Sequence, residues 1–208
     1  MKKKIISIIG GAGHVGFPLG LAFAAKGFNI NFVDLNKNNL NKIKSGIPPF
    51  MEKGARFVLN SCLKKNRFEF SEDIKSIKTK KYIIVCIGTP VNKFLKPDLS
   101  NFFRLIKKLK KIISKNQILI IRSSVYPGVI EKIYKILHGV NNNIVYCPER
   151  IVQGLALEEL PKLPQVIAGK KKSAVIECEK LFIKITGKII KTNILEAELI
   201  KLFSNANR

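Results

Sequence analysis

Short runs of Ile and Val recur along the chain, at 5–9, 30–33, 82–87, 118–121, 144–146, 166–168 and 189–190. Their length and β-branched content predict strands buried on both faces. Between most of them lie stretches with helical spacing of apolar residues, over 14–27, 36–44, 51–64, 100–115, 128–138 and 172–186. The clearest is 100–115, where Phe102, Leu105, Ile106, Leu109 and Ile113 line one side. Lys107, Lys108, Lys110 and Lys111 take the other side and are expected to be a solvated face. Short apolar strands alternating with amphipathic helices predict an α/β fold built on a doubly wound, mostly parallel sheet. No internal repeat or low-complexity linker interrupts the pattern.

Composition changes little in this picture. The 208 residues hold 46% hydrophobic and 25% charged residues, an ordinary globular mixture. Lys and Arg number 38 against 14 Asp and Glu, giving a net charge of +24. Lys supplies 32 of those 38, and the bias toward Lys, Ile and Asn runs along the whole chain, as AT-rich codon usage produces. Nucleic-acid binding calls for clustered Arg and interleaved exposed aromatics; here Arg is scarce and Trp absent, so no nucleic-acid partner is expected. A basic polyanion-binding domain remains the non-enzymatic alternative. The positive field also suits anionic small molecules such as nucleotides.

Four scattered cysteines, Cys62, Cys86, Cys147 and Cys178, form no C-x-x-C or Cys/His pattern, so neither a metal site nor a disulfide scaffold is expected. A reducing cytoplasm fits best. Lys2, Lys3 and Lys4 followed by an uncharged stretch imitate a secretory signal, but Gly10, Gly11, Gly13, His14, Gly16 and Pro18 break the stretch into a strand, a turn and a helix. No other stretch approaches the roughly 18 apolar residues of a membrane span, so no membrane partner is expected.

The chemistry begins at Gly11-Ala12-Gly13-His14-Val15-Gly16, directly after a strand and opening a helix. In that context the glycines serve a tight turn, close approach to a pyrophosphate and close helix–strand packing, as in a Rossmann-like dinucleotide site. The helix start offers free N–H groups and partial positive charge to phosphates. Asp34 ends the second strand, where a carboxylate grips the adenosine ribose hydroxyls and disfavours a 2′-phosphate, so NAD is expected over NADP. Lys37 lies close enough in sequence to soften that preference.

Ligands of such sheets bind at the carboxyl ends of the strands. Three polar, Pro-punctuated loops follow later strands: Cys86-Ile87-Gly88-Thr89-Pro90, then Arg122-Ser123-Ser124-Val125-Tyr126-Pro127-Gly128, then Cys147-Pro148-Glu149-Arg150 with Gln153-Gly154 and Leu163-Pro164-Gln165. They are expected to wall an active site. Asp98 and Ser100 read as caps of the next helix. From Thr192 onward a further helix is expected, with Leu195, Leu199, Leu202 and Ala206 as one stripe and Phe203 at its edge; Glu198, Lys201 and Asn205 share a different face.

The ordered set G-A-G-H-V-G, C-I-G-T-P with P-D-L-S, R-S-S-V-Y-P-G, C-P-E-R with L-P-Q-V-I-A-G, and A-E-L-I-K-L-F-S-N resembles the UDP-glucose/GDP-mannose 6-dehydrogenases. Arg150 after Glu149 is more similar to the UDP-N-acetylhexosamine (N-acetylmannosamine-type) branch than to the UDP-glucose branch. A β-hydroxyacid-type dehydrogenase is the alternative enzyme, with the C-P-E-R and L-P-Q-V-I-A-G segments against it.

The resemblance implies an NAD-dependent, four-electron oxidation of a UDP-sugar C6 alcohol to a carboxylate, through a cysteine-bound thiohemiacetal and thioester. It implies Gly11, Gly13, His14, Val15, Gly16, Asp34, Thr89 and Ser124 as cofactor contacts. Lys201 and Asn205 would stabilise the developing oxyanion. Ser124, where the family usually has Thr, would position water. Glu149 would face substrate or water, and Arg150 would contact the sugar or its phosphate, or pair with a carboxylate. Gln153 stands where the UDP-glucose branch has a second Glu, so that residue's role is not carried over.

The implied domains are 1–191 for NAD and 192–208 for the opening of a central dimerisation helix, hence a homodimer in a complete enzyme. Family members continue about as far again, and the nucleophilic cysteine lies in a motif after residue 208; Cys86 and Cys147 are expected to serve packing only. The 208 residues are therefore expected to bind cofactor without turning over a UDP-sugar alone. The apolar strip of the last helix is expected to stay exposed and drive weak self-association, leaving Lys201 and Asn205 displaced.

Overall fold

The computed structural model describes residues 5–90 and 97–206, with side chains from residue 204 onward, Asn205 among them, outside the described set together with the lysines at 2–4. Its elements run β1 (Ile5–Ile9), α1 (Gly16–Ala25), β2 (Asn29–Val33), α2 (Lys37–Lys44), α3 (Ala55–Lys64), β3 (Phe68–Ser71), β4 (Tyr82–Val85) and α4 (Ser100–Lys110). Then follow β5 (Ile118–Ile121), α5 (Val129–Leu137), β6 (Ile144–Tyr146), α6 (Ala156–Glu159), β7 (Gln165–Ile167), α7 (Lys172–Phe182), β8 (Ile189–Lys191) and α8 (Ile194–Ala206). Six strands form a parallel sheet in the order β3-β2-β1-β4-β5-β6, a Rossmann-like doubly wound arrangement whose direction reverses between β1 and β4.

Residue alternation along each strand feeds two apolar layers. Ile6, Ile8, Ile30, Phe32, Ile84 and Ile120 point toward α1, α3 and α7. Ile9, Val33, Ile83, Val85, Leu119 and Ile121 point toward α4 and α5. Helix α1 is apolar on nearly every side, which suits a helix covered by the sheet below and by α3 and α6.

Several expectations change. β3 escapes the hydrophobic pattern because Phe68-Glu69-Phe70-Ser71 is short and half-buried at the sheet edge, its rings packing on Phe32. The strand expected over 166–168 falls outside the main sheet: β7 pairs in parallel with β8 in a separate two-stranded sheet, joined to β6 only by an antiparallel bridge between Tyr146 and Ala168. The helix expected from 51 begins instead at Ala55, because Gly54 takes φ +76° ahead of it.

The preceding residues form a strap. Its Phe50 ring lies 3.9 Å from the His14 ring, centroid to centroid. Lys53 N donates to Gly154 O at 2.9 Å, and Leu157 N donates to Glu52 Oε1 at 3.2 Å. The strap thus ties the glycine turn after β1 to the loop after β6. Glu52 is buried, and its Oε2 has no hydrogen-bond partner. Burial pushes its carboxyl above the ordinary 4.5, with hydrogen bonds from backbone N–H groups opposing the rise and nearby Glu159 adding to it.

A raised carboxyl value means that folding favours the protonated form. The corresponding stability is fully present below 4.5 and is lost as pH climbs through the raised value. Glu52→Gln keeps an acceptor for Leu157 N and removes that loss. Its Tm relative to the native chain is expected to rise as pH climbs from about 4.5 through the raised value and to level off above it. A native chain that melts higher than the variant at neutral pH would contradict this.

Candidate active site

The site starts where β1 ends. Gly10, at φ +77°, turns the chain, and Gly10 N and Gly11 N both donate to Val33 O. A Cβ on Gly11 would sit 2.7 Å from Ile8 O, and one on Gly16 would sit 2.3 Å from Gly10 O, so packing against backbone holds both positions to glycine. A Cβ on Gly13 would meet only Gly10 O, at 3.3 Å. Gly13 therefore presents open backbone, the surface that a diphosphate needs for close approach. Val15 precedes α1 without a side-chain cap, and the first turn holds no acidic residue, so the helix start is left to an anionic ligand. His14 is exposed with its ring tilted against Phe50, and Val15 is half-buried.

Asp34 stands at the end of β2, half-buried. Its Oδ2 accepts from Ala12 N and its Oδ1 from Asn36 N, both at 2.9 Å. Asn39 Nδ2 donates to Ala12 O at 3.2 Å, so α2 braces the turn as well. A cavity of about 630 Å³ opens from Gly10 and Asp34 to Gly88, across the carboxyl ends of β1, β2 and β4. Leu35, Ile74 and Leu105 give it apolar walls, with Arg104 and Lys108 at its α4 side. These groups fit NAD. The glycine turn would meet the diphosphate and Asp34 the adenosine ribose, with the apolar walls leaving room for the base. Asn39, Phe50 and Arg104 were not singled out from sequence, Gly10 was read only as a break in the first apolar stretch, and Lys108 only as part of a solvated face.

The next two loops are tied to each other. Thr89 Oγ1 donates to Ser124 O at 2.7 Å, and Ser123 Oγ donates to Ile87 O at 2.8 Å. Ser124 is half-buried between them. Before it comes Arg122, 1% exposed, whose Nη2 forms an ion pair with Glu149 Oε2. Its Nη1 donates to Gln165 Oε1 at 2.7 Å and to Cys147 O at 3.4 Å, and its guanidinium lies 5.2 Å from the centre of the Phe182 ring. Glu149 Oε1 accepts from Arg150 N and Ile151 N. The Glu149 carboxylate is thus engaged inside the chain, with Arg150 half-buried beside it and Gln153 exposed.

On α8, Glu198 and Lys201 are buried, whereas Leu195, Leu202 and Phe203 are exposed. The apolar strip is thus largely exposed, as expected, while Lys201 lies inside the fold. All four cysteines are buried, and burial pushes the Cys86 thiol up to about 12. Cys147 Sγ lies 3.4 Å from Cys178 Sγ, and burial raises Cys178 as well. None of the four is presented as a nucleophile. Among the described residues no group of His, Cys, Asp and Glu is placed to hold a metal, and no helix is long and apolar enough to cross a membrane.

Breaking a buried ion pair by removing one partner costs about 3–5 kcal/mol, because the other charge stays buried alone. Arg122→Met is expected to lose that much in urea unfolding, and Arg122→Met with Glu149→Gln to lose clearly less than the sum of the single changes. A strictly additive pair of effects would show the two side chains to be uncoupled.

The family model described as "UDP-glucose/GDP-mannose dehydrogenase family, NAD binding domain" matches residues 4–186. UDP-N-acetyl-D-mannosamine dehydrogenase from Methanocaldococcus jannaschii is 31% identical over 210 residues, covering 99% of this chain and 48% of that protein. The protein of the same name from Pyrococcus horikoshii is 28% identical over 206 residues, covering 95% of this chain and 49% of that one. The solved structure of UDP-D-ManNAc dehydrogenase from Pyrococcus horikoshii matches with a TM-score of 0.89 at 27% identity, covering 98% of this chain and 50% of that one. The chain spans about half the length of the curated relatives it matches. With its glycine turn, its Asp34 and its parallel six-stranded sheet, the chain belongs to the UDP-glucose/GDP-mannose dehydrogenase family.

Proposed function

We propose that this chain supplies the NAD-binding part of a nucleotide-sugar 6-dehydrogenase that oxidises a UDP-sugar of the N-acetylmannosamine type in the cytoplasm. The observation that carries this reading is the glycine turn braced by Asp34, whose carboxylate accepts from Ala12 N and which, with Gly10, lines the cavity at the strand ends. In this reading residues 1–191 form the cofactor domain, and 192–208 open the central helix of a homodimer.

NAD, when bound, accepts the hydride of the sugar C6 carbon. The chain's own residues do the rest. The first-turn N–H groups of α1 hold the diphosphate, and Asp34 accepts from the ribose hydroxyls. The Thr89 bond to Ser124 O fixes the second loop, so that the Ser124 hydroxyl can orient a water. Arg122 holds the Glu149 carboxylate and so shapes the loop that presents Arg150 to the sugar or its phosphate. Lys201 and Asn205 donate to the oxyanion that develops at C6; removing one such donor costs roughly 10²–10³ in rate.

A fusion of residues 1–208 to the remaining half of the Pyrococcus horikoshii relative tests the reading. NADH formation from UDP-N-acetylmannosamine, but not from UDP-glucose, is expected, and Lys201→Met should lower it by roughly a hundredfold or more. Turnover of UDP-glucose alone would overturn the substrate assignment.

Cofactor choice is testable on the chain itself. By calorimetry NAD is expected to bind at least about tenfold more tightly than NADP, because a 2′-phosphate would face the Asp34 carboxylate. Asp34→Asn should shrink the ratio and weaken NAD. Equal or tighter NADP binding by the native chain would refute the role given to Asp34.

A further inference from the structure

Helix α8 is anchored by one buried carboxylate. Glu198, 1% exposed, accepts from Gly128 N through Oε2 and from Ile130 N through Oε1, each at 2.9 Å. Those two amides are of the N-cap residue and the second residue of α5, where backbone N–H groups have no acceptor within their own helix. Gly128, at φ +89°, also ends the loop over 122–128 that carries Ser124. Around the carboxylate, Ala197 is fully buried, and Ile194 and Ile200 pack on the apolar layer of α4 and α5.

We infer that Glu198 is a positioning residue that sets the place of Lys201. Two hydrogen bonds to two amides of one helix turn fix both the distance and the rotation of α8, which apolar contacts alone do not. Lys201 follows three residues later on the same face, about 4.5 Å along the axis, and is itself 8% exposed. The nearest acidic group in the first turn of α5, Glu131, is engaged by Lys170, so it does not compete for these amides. The partial positive charge of the α5 start favours the carboxylate over a neutral acceptor. The same bonds couple the Ser124 loop to Lys201, so the two proposed site elements move as one body. The inference rests on the proposed role of Lys201 only for its meaning in catalysis; the anchoring itself is read without turnover.

The test uses the 208-residue chain with NAD bound. Lysines are acetylated with a small amine-reactive ester and read by mass spectrometry, beside amide exchange across 126–132 and 194–203. In Glu198→Ala, labelling of Lys201 is expected to rise by about tenfold over the native chain, while exposed Lys191 is unchanged. Glu198→Gln, which keeps one acceptor, should fall between the two. NAD should still bind at the glycine turn, on the other half of the sheet, with any loss of affinity reporting the Ser124 loop that Gly128 ends. If Glu198→Ala fails to fold, the Gln variant alone decides, through the same ratio of Lys201 to Lys191. Unchanged Lys201 labelling alongside lost protection at Gly128 and Ile130 would overturn the inference. Undiminished turnover by a Lys201→Met fusion would instead sink the catalytic reading and leave the anchor standing.

Discussion

A parallel sheet leaves the loops at its carboxyl edge with backbone N–H groups that no neighbouring strand accepts, and this chain satisfies them with carboxylates. Asp34 takes Ala12 N and Asn36 N, and Glu149 takes Arg150 N and Ile151 N. Glu159 takes Val152 N, Glu52 takes Leu157 N, and Glu198 takes Gly128 N and Ile130 N. With only 14 acidic residues against 38 basic ones, a large share of the negative charge thus lies inside the loop framework while the lysines ride outside. Each bond is charge-assisted and therefore stronger than a neutral one. The cofactor turn, the strap, the third loop and α8 all depend on this one kind of contact.

Arg122 is the cationic counterpart. It is among the largest fully buried side chains of the described residues, set just after β5 and reaching across to the residues at β6 and β7. A lysine ammonium is a compact point charge, whereas the planar guanidinium offers a fork that meets Glu149, Gln165 and the Cys147 carbonyl together while lying over Phe182. In a chain whose positive charge is overwhelmingly lysine, arginine stands where several acceptors converge in the interior.

The sheet was legible because β1, β4, β5 and β6 are short runs dominated by Ile and Val, as strands buried on both faces are. The cofactor turn was legible because its chemistry is local, six consecutive residues and one carboxylate. What escaped was decided at long range. The strap over 46–54 owes its shape to a positive φ at Gly54 and to partners on the loop after β6, neither of which periodicity records. Glu149 reads in sequence as facing substrate or water, and its ion-pair partner, Arg122, lies far off in sequence just after β5. On α8 the exposed leucine stripe was expected, but not that Glu198 and Lys201 turn inward beside the apolar contacts of Ala197 and Ile200. A hydrophobic pattern cannot foresee that, because the deciding acceptors belong to another helix.

Leu35, at the mouth of the cofactor cavity, is 89% exposed, and Ile74, Ile87 and Leu105 line the space beside it. An adenine base that settles there removes this hydrocarbon from water, so association carries a negative change in heat capacity. Its enthalpy then grows more favourable as temperature rises while its entropy declines, and the affinity itself moves far less than either. The warmth of binding at a single temperature thus describes the water around Leu35 as much as the bonds made to Asp34.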